Sequence, residues 1–156
     1  MAIADMFLMV HGVTGEAKDP EHMEEIEVQA WSWDMENTRD PLAGKHEGES
    51  TMGELHVVKR VDLSSPTLMK FLRQAKIISH ATLTVRKAGK DPLEYFKIEL
   101  EKVRVTSLRT ESENAELVEH VKLGFSHVRV VYTPQDDTGG KGGGENIFEA
   151  DLNVGV

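Results

Sequence analysis

The stretch EEIEVQAWSWD, residues 24–34, decides how this chain is interpreted. Its first half alternates, so that Ile26 and Val28 fall on one face of an extended strand and charged or polar residues fall on the other. Trp31 and Trp33 then occupy the face that had been charged. The sequence therefore predicts a strand that bulges here or becomes covered on its second face, against another element of its own chain or of a neighbouring copy.

Two later segments change their alternation in the same way. Apolar residues move from even to odd positions near 101–102, and from odd to even positions near 126–127. Bulges bend strands and turn the corners of coiled sheets, so three such changes favour a strongly curved architecture. We predict a mainly β fold, a β-barrel-like sandwich of two packed sheets with one short flanking α-helix and a long extended loop.

The helix, the loop and the final strand are assigned from local signals. VDLSSPTLMKFLRQA, residues 61–75, has helical spacing, and we predict a helix of about ten residues with Ser65 as N-cap and Pro66 at its first position. Residues 34–53 are charged with little apolar content, which predicts a long contact loop. A flexible link at 136–145 is predicted to lead into a C-terminal edge strand.

Composition limits the class of the protein and its partners. The 156 residues suit a single domain, 1–156, and there is no cysteine. The formal net charge of −9 disfavours a nucleic-acid partner, and we interpret the basic pairs at 59–60 and 86–87 as solvated strand faces. No apolar run approaches the roughly 20 residues that span a bilayer, and no basic leader begins the chain. We expect cytoplasmic synthesis without a cleaved signal peptide and no membrane insertion.

Catalytic and cofactor motifs are incomplete in this sequence. The glycine-rich run 139–144 is followed by strand-like rather than helical sequence, which argues against a phosphate loop. None of the seven histidines has the close spacing typical of metal ligands, and no G-x-S-x-G motif is present. We therefore predict no catalytic residue, no cofactor and no metal site, with the histidines exposed or hydrogen-bonded.

Two other classes of function stay open at this point. Trp31 and Trp33 could form a platform in a small-ligand-binding β-barrel module, which predicts a monomer with a deep apolar pocket. A hydrolase whose serine, histidine and aspartate converge only in space is the other alternative.

Several motifs occur together and in order along nearly the whole chain. The most specific are WSW at 31–33, RKAG at 86–89 and YTPQ at 132–135, and they accompany DMFLMVHGVTGEAKD at 5–19 and VDLSSPTLM at 61–69. Together they resemble the Hcp family, the haemolysin-coregulated tube proteins of bacterial type VI secretion systems.

This resemblance implies a structural rather than an enzymatic role. It implies a barrel-like subunit that forms a homohexameric ring around a central channel, with rings stacked into a tube. It also implies sheath and spike proteins of the secretion system as partners, small effector proteins carried in the lumen, and secretion to the extracellular space or a target cell. The loop 34–53 is expected to reach toward neighbouring subunits.

Site residues follow from strand parity and from the expected role of the loop. Ser32 points opposite both tryptophans, so we predict it as a lumen or cargo candidate. The residues predicted at interfaces between subunits are Trp31, Trp33, Asp40, Leu42, Lys45 and His46.

Overall fold

Antiparallel strands dominate the structure, a computed structural model that describes residues 4–37, 50–87, 92–136 and 141–152. This confirms the prediction of a mainly β fold with one short helix. The elements are β1 Ala4–Val10, β2 Ile26–Glu27, β3 Ala30–Ser32, β4 Met35–Asn37, β5 Ser50–Met52, β6 Leu55–Arg60, α1 Ser64–Arg73, β7 Ile78–Lys87, β8 Glu94–Glu113, β9 Glu116–Gly124, β10 His127–Tyr132 and β11 Asn146–Asp151.

Nine of these strands form one continuous sheet in the described part of the chain. Its path is β2-β1-β7-β8-β9-β6-β3, and the pair β10–β11 joins it by pairing β10 with β8. The end strands β2 and β3 do not pair with each other, so the described sheet is open rather than a closed barrel. Strands β4 and β5 form a separate two-stranded ribbon.

Strand β8 divides the sheet into two halves. Its first half pairs with β7 and β10, and its second half pairs with β9. Lys102 lies where the partners change and has a positive φ of 52°, as expected for a bend near 101–102. We call β2, β1, β7, β10, β11 and the start of β8 the first half-sheet, and the end of β8 with β9, β6 and β3 the second half-sheet.

The two half-sheets share one hydrophobic core. Alternate residues of the strands point inward, and α1 adds Leu68 and Phe71 to the same cluster. The core therefore joins strands that are far apart in sequence. Fully buried members from the strands include Leu8, Leu55, Val57, Leu83, Ile98 and Leu123.

The changes of alternation near 30 and 126–127 mark crossings between the half-sheets. Val28 N donates to Met6 O of β1 at 3.0 Å, whereas the next amide, Gln29 N, donates to Val58 O of β6 at 2.8 Å. The chain crosses again between β9 and β10. The sequence predicted that the strand near 31–33 bulges or becomes covered on its second face, and that one long strand bulges at 126–127. The structure has separate strands at both places. The parity changes there because a chain that crosses from one half-sheet to the other also changes which of its faces points into the core.

The helix begins differently from the prediction. It starts at Ser64, and Ser65 is not its N-cap. Instead, the Asp62 carboxylate accepts a hydrogen bond from the Ser64 amide at 2.9 Å, while the Ser65 hydroxyl is buried. Pro66 stays within the first turn, where its missing N–H leaves no intrahelical bond unmade.

The C-terminal strand β11 lies at an edge, as predicted, and pairs only with β10 in the described residues. His127 on β10 bonds to two carboxylates of β11, through Nδ1 to Asp151 Oδ1 at 2.6 Å and through Nε2 to Glu149 Oε2 at 2.7 Å. These two hydrogen bonds, first to Asp151 and then to Glu149, raise the pKa of His127 above its ordinary value.

This edge is expected to loosen as the pH rises. A raised pKa in the folded state means that His127 stabilises the edge fully below its unfolded value of about 6.5, and that this contribution is lost as the pH rises through the folded pKa. Hydrogen exchange of the β11 amides, corrected for intrinsic rates, should therefore show protection falling above neutral pH. His127→Gln should remove this pH dependence, and constant protection in the parent chain would contradict the prediction.

Candidate functional site

Both tryptophans of the WSW motif are half-buried against residues of their own chain. Trp31 stacks on Phe96, with ring centroids 5.7 Å apart and planes 14° apart. Trp33 packs beside Phe125, and its indole Nε1 donates to Gly53 O at 2.8 Å. The second-face cover predicted at 31–33 therefore comes from the chain itself. Whether either residue also touches a neighbouring copy stays a prediction.

Ser32 is exposed between them and begins a row of polar residues across the second half-sheet. It lies opposite His56 of β6, which lies opposite Lys122 of β9, which in turn lies opposite Ser107 of β8. We call this surface the polar face. The adjacent row adds His120 and Arg109.

The polar face contains a pair of interacting histidines. His56 Nε2 and His120 Nδ1 are 3.0 Å apart, and His120 Nε2 lies 3.2 Å from Glu111 Oε1. Partial burial, then the positive neighbours His120, Lys122 and Arg109, lower the pKa of His56. His56 is thus favoured in its neutral form because burial, and then the charge of its neighbours, disfavours a further proton.

A shallow open concavity of about 300 Å³ lies beside Ser32. Carboxylates and basic groups both line it, so it offers hydrogen bonds of either sense rather than an apolar pocket. Such a surface suits weak polar contact with a protein partner better than enclosure of a small ligand. Its lining consists of Ser32, Trp33, Asp34, Glu54, His56 and Lys122.

The other predicted interface residues cannot be placed. Asp40, Leu42, Lys45 and His46 lie outside the described residues. The two ends of the predicted loop 34–53 are not irregular, since Met35 pairs with Met52 and Asn37 with Ser50 in the β4–β5 ribbon. Likewise, the predicted link 136–145 begins beside a bridge between Gln135 and Lys141, and 137–140 lie outside the described residues.

A buried ion pair was missed by the sequence analysis. Lys59 and Glu119 are both 0% exposed, and Lys59 Nζ lies 2.8 Å from Glu119 Oε1. Nζ also donates to Ser65 Oγ at 3.1 Å and lies 3.1 Å from Asp62 Oδ1. The expectation of a solvated basic pair at 59–60 is therefore wrong for Lys59, although Arg60 is exposed. The signal was available, because residue 59 has the parity of the buried positions of β6.

The expectation of a solvated basic pair at 86–87 is also wrong for Arg86. It is 6% exposed and makes two hydrogen bonds to Asp19, with Nη1 to Oδ2 at 2.9 Å and Nη2 to Oδ1 at 2.7 Å. Asp5 accepts a third bond at 3.0 Å. The hydrogen bonds from Arg86 lower the pKa of Asp19 to about 2. This arginine fastens the segment between β1 and β2 to β7.

Comparison with known proteins agrees with this architecture. Residues 7–132 match the family described as type VI secretion system effector, Hcp. The protein Hcp1 of Pseudomonas aeruginosa is 40% identical over 145 residues, which cover 90% of each chain. The crystal structure of Hcp1 from Salmonella typhimurium superposes with a TM-score of 0.79 at 29% identity, covering 97% of this chain and 96% of that one.

A type VI secretion system effector from Yersinia pestis gives a TM-score of 0.78 at 25% identity, covering 95% of this chain and 100% of that one. Among the described residues, the single helix is too short and too polar to cross a membrane. The family match spans most of the chain, and the solved structures reproduce its fold across nearly all of it. This chain belongs to the Hcp family of the type VI secretion system.

Proposed function

We propose that this chain is a structural subunit of the type VI secretion inner tube. Its copies close into hexameric rings, the rings stack, and the tube carries small effectors in its lumen. The observation that carries the proposal is family membership over most of the chain, at 40% identity to a curated Hcp protein. In this role the protein contributes shape and surface rather than catalysis.

The open sheet supports ring formation. Strands β3 and β11 each have one partner in the described residues, so each leaves a row of backbone groups available to a neighbour. Three apolar side chains at the β10–β11 edge, Tyr132, Ile147 and Phe148, are 44%, 50% and 41% exposed. A ring needs contacts between two different surfaces of the subunit, and an edge with exposed apolar groups suits one of them.

The proposed localisation and partners follow from the same role. The subunit is made in the bacterial cytoplasm and is expelled with the tube into the extracellular space or a target cell. Sheath and spike proteins of the secretion system are its proposed partners, together with small effector proteins. The small-ligand alternative gains no support, because Trp31 and Trp33 are packed against Phe96 and Phe125.

Native mass spectrometry and negative-stain microscopy test the proposal directly. We expect the purified full chain to give a species of six subunits and annular particles. A chain that stays monomeric at high concentration, or that turns over a substrate alone, would contradict it. Tyr132→Ser is expected to weaken the ring while leaving the subunit folded, since its ring is partly exposed at the β10 edge.

Ser32 provides the test for cargo carriage. It is exposed on the polar face, and Ser32→Gln inserts a longer amide into the surface that we assign to the lumen. We expect effector retention in a pull-down to fall by about tenfold, or 1.4 kcal/mol, with rings intact. Ser112→Gln, the same change at an exposed serine on β8, serves as the matched control. Equal retention in both variants would exclude a role for Ser32.

A further inference from the structure

A second cluster of polar side chains lies on the first half-sheet, away from the polar face. Glu21 and His22 belong to the segment between β1 and β2, and Glu94 begins β8. Each offers one ligand atom, and these three atoms all lie within 4.8 Å of one another. Imidazole nitrogen and carboxylate oxygen are the ligands that zinc and similar divalent metals accept.

His22 is buried and held in one orientation. It is 7% exposed, and its ring stacks on Phe7 with centroids 4.5 Å apart and planes 7° apart. Its Nδ1 lies 2.9 Å from Glu25 Oε1. An ionised carboxylate only accepts hydrogen bonds, so the hydrogen of this contact lies on Nδ1, and Nε2 is the ring atom that faces the cluster.

That Nε2 atom has no hydrogen-bond partner, although Glu94 Oε2 lies 3.4 Å away. A hydrogen bond between an imidazolium and a carboxylate is shorter, about 2.7–2.9 Å. Two ligands of a tetrahedral zinc ion, each about 2.1 Å from the metal, lie about 3.4 Å apart. The observed separation therefore fits a shared cation better than a direct hydrogen bond.

We propose that Glu21, His22 and Glu94 bind a divalent transition-metal cation of the zinc type, with the remaining position taken by water. Glu25 then acts as the outer carboxylate that orients the histidine, an arrangement common around metal-bound imidazoles. The metal ties the segment between β1 and β2 to the start of β8.

The residues around the cluster order its backbone and leave its ligand atoms available to a cation. The neighbouring Asp19 is fixed by two hydrogen bonds from Arg86, which orders the backbone just before Glu21. Lys97 is the nearby competitor, with its Nζ 3.5 Å from Glu94 Oε1. That contact uses the other carboxylate oxygen, so Oε2 stays available to a metal.

Isothermal titration of the metal-free full chain with Zn²⁺ tests the site, and Co²⁺ absorption reports its geometry. We expect a saturable class of one ion per subunit with a tetrahedral Co²⁺ spectrum. Glu94→Gln and Glu21→Gln should each weaken this class by tenfold or more, and Glu25→Gln by about 10–100-fold. Glu149→Gln is the matched control, because it removes a carboxylate from the His127 cluster, where both ring nitrogens already have partners.

The outcomes separate the proposal from its alternative. If His22 were simply an imidazolium paired with Glu94, nitrogen NMR of the metal-free chain would show both ring nitrogens protonated at neutral pH, and Zn²⁺ affinity would be the same in Glu94→Gln as in the control. Either result overturns the site. Because Glu21 is exposed, Glu21→Gln keeps the test valid if Glu94→Gln proves poorly folded. Ring formation plays no part in these measurements, so they are independent of the proposed function.

Discussion

Replacement of Lys59 by methionine is expected to lower the free energy of unfolding by about 3–5 kcal/mol. The substitution keeps most of the side-chain volume but removes the only cation within 4.0 Å of Glu119 in the described structure. Glu119 is 0% exposed, so its carboxylate then has no cation beside it and, among the described residues, keeps only the 3.5 Å hydrogen bond from Thr110 Oγ1. Urea unfolding followed by tryptophan fluorescence measures the loss.

The double variant separates the cost of an orphaned charge from the value of the ion pair. Combining Lys59→Met with Glu119→Leu removes both charges, and we expect it to recover most of the lost stability or to exceed the parent. Arg60→Met, at the exposed neighbour, should change stability by no more than about 0.5 kcal/mol. A double variant as unstable as Lys59→Met alone would show that the loss comes from packing or from the bond to Ser65.

Replacement of Trp33 by alanine is expected to lower the free energy of unfolding by about 3 kcal/mol. The value lies at the lower end for a large aromatic residue because Trp33 is half-buried. Its ring packs beside Phe125, and its Nε1 atom holds the Gly53 carbonyl at the end of the β4–β5 ribbon. Loss of the ring therefore removes core contacts and also the hydrogen bond that holds the end of this ribbon.

Trp33→Phe isolates the hydrogen bond from the packing. It keeps an aromatic ring near Phe125 but loses the indole N–H donor, so we expect the free energy of unfolding to fall by about 1 kcal/mol. Hydrogen exchange of the β4 and β5 amides should rise in both variants, because both remove the hydrogen bond from Trp33 to the Gly53 carbonyl. If exchange there is unchanged while global stability falls, Trp33 stabilises the core without positioning the ribbon.

Much of the fold was predictable because it depends on local alternation. Apolar residues alternate at 81, 83 and 85 of β7 and at 96, 98 and 100 of β8, and the mainly β class followed from this pattern. The changes of parity were located correctly near 30 and 126–127. Their meaning needed the partner strands, because a bulge and a crossing between half-sheets produce the same sequence pattern.

The candidate site was only partly predictable. The opposite orientations of Ser32 and the tryptophans follow from a two-residue period, and the structure agrees. The histidine pair of the polar face arises from the register of β6 against β9, which no spacing along the chain reveals. The Glu21, His22 and Glu94 cluster depends in the same way on the β1–β7–β8 pairing, so a search for close histidine spacing could not find it.

The 20 residues of β8 have a mechanical consequence. Because one covalent backbone runs through both half-sheets, a force that pulls these halves apart loads peptide bonds and three hydrogen-bonded ladders together. A pulling experiment on a single subunit should thus record one rupture event rather than two. The continuous strand thus makes the two half-sheets bear a load as one body.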